Sequence, residues 1–297
     1  MGRPPVRVGV VDIGTNSMRL LVTDGVEDVG RWVEVTGLGR GVDATGRLSE
    51  EAVERTLPVL GRFGMQMSAL DVERRYAIAT SATRDASNRE EFLDRAAKVL
   101  GVRPEVISGG REGVLSFDGA TSDFPVDEPI LVSDIGGGST EMVIYDEGLS
   151  IDMGSVRLTD RMSPTYPLPE GEWQQAMEMA WAAFKGFDFG DVGTHIGVAG
   201  TWTSLAAIAQ DLPRYEPSKV HGWWFDSLEL DRVVDLLCDM TLDEIKAIPS
   251  MDPNRALVIR AGAIVAHAVA GTLNVDSTLI SVKDSLDGVA MELLALP

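Results

Sequence analysis

Apolar positions along this chain fall into short continuous runs and longer helical stripes. Residues 6–11 are β-branched and apolar and predict a buried strand ending at Asp12. Residues 18–23 predict a second strand after a glycine turn, and 32–36 a weaker third. Ser49 then precedes two acids, the signature of a capped helix start, and Val53, Leu57, Leu60 and Phe63 continue at helical spacing. A strand over 75–80, a helix from Asn88 to Leu100 closed by Gly101, a short strand over 104–107 and a helix over 111–120 complete this half. The second half runs through strands at 130–133, 141–145 and 149–153, a helix over 170–187, a strand over 195–198 and a helix over 201–209. Helices over 227–240 and 254–272, a strand over 277–282 and a closing helix follow. Strands mixed with helices in this order predict an α/β protein.

The two halves resemble each other. Residues 8–22 align without gaps to residues 130–144, a spacing of 122. Asp12, Ile13, Gly14 and Ser17 recur as Asp134, Ile135, Gly136 and Ser139. Long-period self-similarity predicts architecture. Here it predicts two related domains, 1–122 and 123–297, each opening with strand, Asp-Gly turn and strand. The segment 121–125 is the expected crossing.

Composition sharpens this picture. The chain has 297 residues, 44% of them apolar, which suits two cored domains and excludes wholesale disorder. A single cysteine, Cys238, excludes an intramolecular disulfide framework and a cysteine-based zinc site. No apolar run is long enough to span a bilayer and no signal peptide is legible, so a cytoplasmic protein is expected. The net charge of −20 is uneven: residues 1–122 carry 16 basic and 18 acidic groups, residues 123–297 carry 10 and 28. Such acidity argues against nucleic acid and membrane surfaces as partners.

The turns carry the candidate chemistry. Gly14, Thr15, Asn16 and Ser17, and again Gly136, Gly137, Gly138 and Ser139, could aim backbone N–H groups at a phosphate. An isolated Asp-Gly turn is often only a turn; two at matched positions favour the phosphate reading. Each strand-end aspartate, Asp12 and Asp134, could hold a hydrated Mg²⁺ or orient water. Gly200 and Thr201 stand where a strand meets a helix N-terminus, a place for an anion or an ordinary cap. The segment 80–86, TSATRDA, sets hydroxyls beside Arg84. In ISGGREG, 107–113, Glu112 is either a dipole-stabilising acid or a general base for water. The histidines His195, His221 and His267 lack metal-ligand spacing. Trp223-Trp224-Phe225 reads as core packing or a stacking surface.

Together, VDIGTNSMRLLV, GLGRGV, TSATRDA, ISGGREG, SDIGGGSTEMVI, MGSVRLTD and GVAGTWTSLAAI resemble the exopolyphosphatase/guanosine pentaphosphate phosphohydrolase family. The resemblance runs from residue 6 to about 272, with the motifs in the family's order. It implies two ribonuclease-H-like domains of the actin/hexokinase/Hsp70 superfamily, flanking a cleft. It implies Mg²⁺- or Mn²⁺-dependent removal of the terminal phosphate from inorganic polyphosphate, from pppGpp, or from both, and a homodimer. Glu112 falls on the family's catalytic glutamate, Asp134 and Glu141 on its acids beside metal and phosphate, and Arg84 on the arginine of its third motif. Arg19 is a further candidate for holding the terminal phosphate.

Three departures bear on substrate. Arg111 replaces an acid that many relatives carry, adding positive charge. Trp202 stands where the family has a small residue, and is expected to narrow or stack over the outer cleft. The ending, 281–288, follows the family only loosely. The acidic second half favours short polyphosphate engaged at its end. Other readings are a non-catalytic pppGpp or polyphosphate sensor, against which the intact acids argue, and a kinase of the same superfamily.

Overall fold

The computed structural model of the protein describes residues 6–125, 128–144 and 147–296. Its first part contains β1 (Val8–Ile13), β2 (Ser17–Thr23), β3 (Asp28–Val35), α1 (Val42–Thr45), α2 (Glu50–Ala69), β4 (Arg74–Ala79), α3 (Ser81–Asp85), α4 (Arg89–Leu100), β5 (Glu105–Val106) and α5 (Gly109–Thr121). The second contains β6 (Ile130–Ile135), β7 (Thr140–Ile144), β8 (Glu147–Ile151), α6 (Ser155–Arg161), α7 (Glu170–Phe184), β9 (Thr194–Val198) and α8 (Ala199–Ala209). It continues through α9 (Pro217–Val220), β10 (Trp224–Asp226), α10 (Ser227–Asp239), α11 (Leu242–Ala247), α12 (Ile259–Leu273), β11 (Ser277–Ile280) and α13 (Ser285–Ala295). The expected strand end at Tyr145 lies outside the described residues.

The sheets show the duplication. The first has the order β3-β2-β1-β4-β5, the second β8-β7-β6-β9-β11, with β10 added at its edge. In each, the first three strands are antiparallel neighbours and the fourth and fifth join in parallel. This is the ribonuclease-H-like arrangement, twice. Corresponding registers match: Asp12 pairs across the ladder with Arg19, and Asp134 with Glu141. The pleat puts both members of each cross-strand pair on one face.

The local signals behave as their chemistry dictates. The Ser49 hydroxyl accepts from the Ala52 N–H and caps α2. Gly101, at φ 81°, ends α4 in the left-handed conformation open to glycine. One expectation fails. The helix over 254–272 is broken: a 3₁₀ turn, Arg255–Leu257, precedes α12. The TSATRDA segment forms the short helix α3.

The chain does not divide cleanly at residue 122. Leu286, Val289 and Ala290 of α13 pack in one cluster with Val8, Val10, Leu21 and Ile78 of the first sheet. The last helix therefore belongs to the first lobe, and the chain crosses between lobes twice. No periodicity signals this, because α13 finds its partners through the sheet's far face. Asp123 on the first crossing binds Lys283 on the second at 2.7 Å, and His221 faces the same carboxylate at 3.4 Å.

Opposite these crossings, α6 closes on the first lobe. Arg157 donates to the Gly138 carbonyl at 2.6 Å within its own lobe, and to Asp43 and to Asp85 (2.7 Å) across the gap. Asp160 accepts from the Gly41 N–H at 2.8 Å. Among the described residues no helix is long and apolar enough to cross a membrane.

Candidate active site

The glycine turns form identical backbone structures. Gly14 N–H donates to the Ser17 carbonyl at 3.1 Å, and Gly136 N–H to the Ser139 carbonyl at 3.0 Å. They face each other across the lobes. A Cβ on Gly137 would lie 2.9 Å from that of Thr15, and one on Gly138 2.5 Å from the Ser81 hydroxyl. Glycine is what lets the turns approach. Residues 36–39 wrap the first turn: Thr36 and Gly37 N–H donate to the Asn16 carbonyl at 2.9 Å, and Gly39 N–H to that of Thr15 at 2.7 Å.

Glu112 reaches this place through helix packing. Ser108 caps α5 by accepting from the Arg111 N–H at 3.2 Å. Gly109 and Gly113, one turn apart, lie against Ser150, Val143 and Glu141 so closely that side chains there would collide. The glycines of ISGGREG thus seat α5 on the second sheet, while Leu115 joins the cluster under the first. The helix is a wedge between lobes, and its first turn carries Glu112 to Glu141.

Arg84 Nη1 stands 3.5 Å from Glu112 and donates to the Ile107 carbonyl at 3.1 Å. Ser116 donates to Asp134 Oδ2 at 2.6 Å, and Ser150 to Glu141 Oε1 at 2.7 Å. Other acceptors stay unmet. Asp12 Oδ1, Asn16 Oδ1, Glu112 Oε2 and Glu141 Oε2 are buried without a hydrogen-bond partner, as are the hydroxyls of Ser81 and Thr83. A folded core rarely tolerates such atoms, and these share one segment set: both turn regions, TSATRDA and α5.

Electrostatics mark the same spot. Burial drives the Glu112 carboxyl well above the usual range, the charges of Glu141, Asp134 and Asp12 push the same way, and Arg84 opposes. Burial and Asp134 likewise raise Glu141, against hydrogen bonds from Ser150 and Ser139. Asp134 is pushed up to about 6, chiefly by burial. Burial raises Asp12 too, though Arg19 opposes it. Packing acids where none ionises easily is costly, and is characteristic of functional clefts.

Several candidates sit otherwise than expected. Arg19 is committed: it binds Asp12, Asp284 and, at 3.3 Å, the Ser285 hydroxyl. It straps the first turn to α13 rather than pointing at a free phosphate. Gly200 lies beneath the Arg255 guanidinium, where a Cβ would fall 1.7 Å from Nη1, and Thr201 is buried against Gly262. Trp202 does not reach the cleft. It is fully buried, its indole N–H donates to the Ser133 hydroxyl at 2.9 Å, and His195 meets its ring edge-on. Helical phase turns it into the core. Arg111 adds no positive charge to the site, since Glu292 of α13 pairs with it. Of the tryptophan run, Phe225 is core and Trp224 is half-exposed.

Arg255 escaped sequence reasoning. Its guanidinium has no hydrogen-bond or ion-pair partner among the described residues, and Tyr215 and Asp252 lie close enough to act on it electrostatically. Nothing in the sequence sets it apart, since an acid stands three residues before it. Among the described residues no three His, Cys, Asp or Glu side chains form a ready metal cage. The unmet buried oxygens Asp12 Oδ1 and Glu141 Oε2 are nevertheless the donor type of a hard cation such as Mg²⁺, which commonly takes one or two carboxylates and completes its shell with water and phosphate.

Known proteins resemble this chain over nearly its whole length. The chain is 36% identical to exopolyphosphatase 2 of Mycobacterium tuberculosis H37Rv, over 97% of this chain and 98% of that one. An exopolyphosphatase-like protein of known structure superposes with a TM-score of 0.92 at 35% identity, over 97% of this chain and 98% of that one. An exopolyphosphatase from Cytophaga hutchinsonii superposes at 0.89 with 27% identity, over 97% of both. The model of the Ppx/GppA phosphatase family matches residues 20–296, and the chain belongs to that family.

Proposed function

We propose that this protein removes the terminal phosphate from inorganic polyphosphate, with a preference for short chains. The cluster of unmet buried oxygens between two glycine turns carries the reading. A terminal phosphate with its cation would satisfy N–H donors on one side and carboxylates on the other. Phosphoryl transfer asks chiefly for positioning and charge neutralisation, which this cleft can supply.

In this reading the turns grip the phosphate oxygens and Arg84 faces the developing charge. Asp134 and Glu141, with Asp12, would hold Mg²⁺ or Mn²⁺, which when bound supplies neutralisation of phosphate charge. Glu112 takes the proton of the attacking water at Oε2, which accepts no hydrogen bond in the structure. Its raised affinity for protons suits a base working near neutrality, a role typically worth about 10²–10⁴-fold. The duplication supports the cation: where Arg19 answers Asp12 in the first lobe, the acid Glu141 faces Asp134 in the second.

The short-chain preference rests on charge, since residues 123–297, with 28 acidic and 10 basic groups, would repel the far end of a long polyanion. One observation favours pppGpp as a second substrate: Arg255 with Tyr215 offers a cation and a ring that a bare phosphate chain does not need. Phosphate release from tripolyphosphate, medium and long polyphosphate and pppGpp, measured with divalent metal and with Glu112→Gln as control, tests the reading. Tight binding without release from any of them would refute it and point to a sensor.

A further inference from the structure

An open groove of about 460 Å³ lies beside the site on the first lobe, lined by Arg84, Arg89, Glu90, Leu93, Arg103 and Ser108 among others. It shares two structural members with the site. Arg84 borders the groove and also faces Glu112. Ser108 borders it and caps the helix that carries Glu112. Arg84 thus stands at the border between the reacting centre and the groove.

Its charge is unusual for this molecule. Three guanidiniums and one carboxylate line it, in a protein of net charge −20. Leu93 is buried in the core and Pro104, Val106 and Ile107 give an apolar wall, so the basic groups are carried on rigid packing. Arg89 donates to the Arg84 carbonyl at 3.1 Å, which ties the Arg89 guanidinium to the main chain of the TSATRDA helix. Arg103 reaches back to α4, to Glu90 at 2.9 Å and to Asp94, and Arg89 shares Glu90 at 3.6 Å. These ion pairs are solvent-exposed, hence weak and exchangeable for another anion's oxygens.

We infer that the groove is the exit subsite for linear inorganic polyphosphate: phosphates behind the reacting end leave past Arg84 and are held by Arg89 and Arg103. Arg103 thereby sets chain-length preference without touching the reacting atoms. The inference rests on the proposed polyphosphatase activity and deepens it. The groove's volume of about 460 Å³ bounds how many phosphates gain from it, consistent with short chains. It also directs the polyanion over the nearly neutral lobe and away from the acidic one.

The test uses the full chain with Arg103→Glu and Arg103→Lys. KM and kcat are measured for tripolyphosphate and for medium-chain polyphosphate. Reversing one exposed charge should raise KM for the medium chain by about tenfold, leaving kcat and the tripolyphosphate KM within about twofold. Arg103→Lys should recover most of the loss, and the difference should shrink in high salt. An unchanged medium-chain KM, or an equal rise on tripolyphosphate, overturns the subsite. A merely structural Arg103 would move the melting temperature and both substrates alike. Binding of medium-chain polyphosphate to Glu112→Gln protein, with and without Arg103→Glu, reads the groove independently of turnover. Absence of phosphate release by the wild type would therefore sink the activity alone, while unaltered binding in the double variant would sink the subsite.

Discussion

Replacing Glu112 by glutamine should make the metal-free protein more stable while nearly abolishing turnover. The structure provides both halves. Glu112 Oε2 is buried without a hydrogen bond, and Glu141, Asp134 and Asp12 all raise the energy of its charged form. Arg84, at 3.5 Å, opposes them. Glutamine keeps the shape and removes the charge, a gain of about 0.5–2 kcal/mol, the usual size of relief at a strained functional site. In melting temperature this is about 1–5 °C for a protein of this size. The pH sign follows from the raised proton affinity. Below the ordinary glutamate range the carboxyl is neutral in both folded and unfolded chains, and the variant gains nothing. As pH rises through neutrality the wild type bears the cost of that acid and the gap opens. Turnover should fall about 10²–10⁴-fold, the loss expected for a general base. Melting curves in a chelator at acid, neutral and mildly alkaline pH, with phosphate release at saturating substrate, measure both. A variant that melts lower than wild type at every pH while keeping its rate would refute the argument.

Other outcomes follow from the same contacts. Added Mg²⁺ should raise the melting temperature little at pH 5 and strongly at pH 8, because Asp134, pushed up to about 6, must lose its proton to accept a cation; Asp134→Asn should flatten that pH dependence in a thermal-shift titration. Trp202→Ala should cost about 3–5 kcal/mol in urea unfolding, as other core aromatics do, and leave the ratio of kcat/KM for polyphosphate over pppGpp unchanged. Arg157→Ala removes bonds to Gly138, Asp43 and Asp85, so stability should drop by about 1–3 kcal/mol, and limited proteolysis should find the 37–45 segment more readily.

The site was legible where chemistry is local. The Asp-Gly turns and the Ser49 and Gly101 caps are written in adjacent residues, the repeat in two matching segments 122 residues apart, and the structure reproduces all of them. Glu112, Asp134 and Glu141 converge because a glycine face on α5 and a seven-residue strand–turn–strand spacing both have fixed geometric meaning. What stayed hidden depends on partners far along the chain. Arg19 reads as an open cation until Asp284, 265 residues later, arrives beside it. Trp202 reads as a cleft residue until the phase of α8 against β6 and α12 is known. The same holds for α13, whose apolar stripe does not say which sheet it covers, and for Arg255, whose isolation is a property of space and not of sequence.

The position of α13 has a consequence for synthesis. Chains emerge from the ribosome N-terminus first, and domains generally fold as they appear. Here Val8, Val10, Leu21 and Ile78 wait for Leu286 and Val289 to cover them, and Arg19 waits for Asp284. The first lobe, begun earliest, is thus completed last. A ribosome-bound chain stalled before residue 284 would hold both glycine turns and every candidate acid, yet leave the β1–β2 face without α13 and the Asp12–Arg19 pair without Asp284.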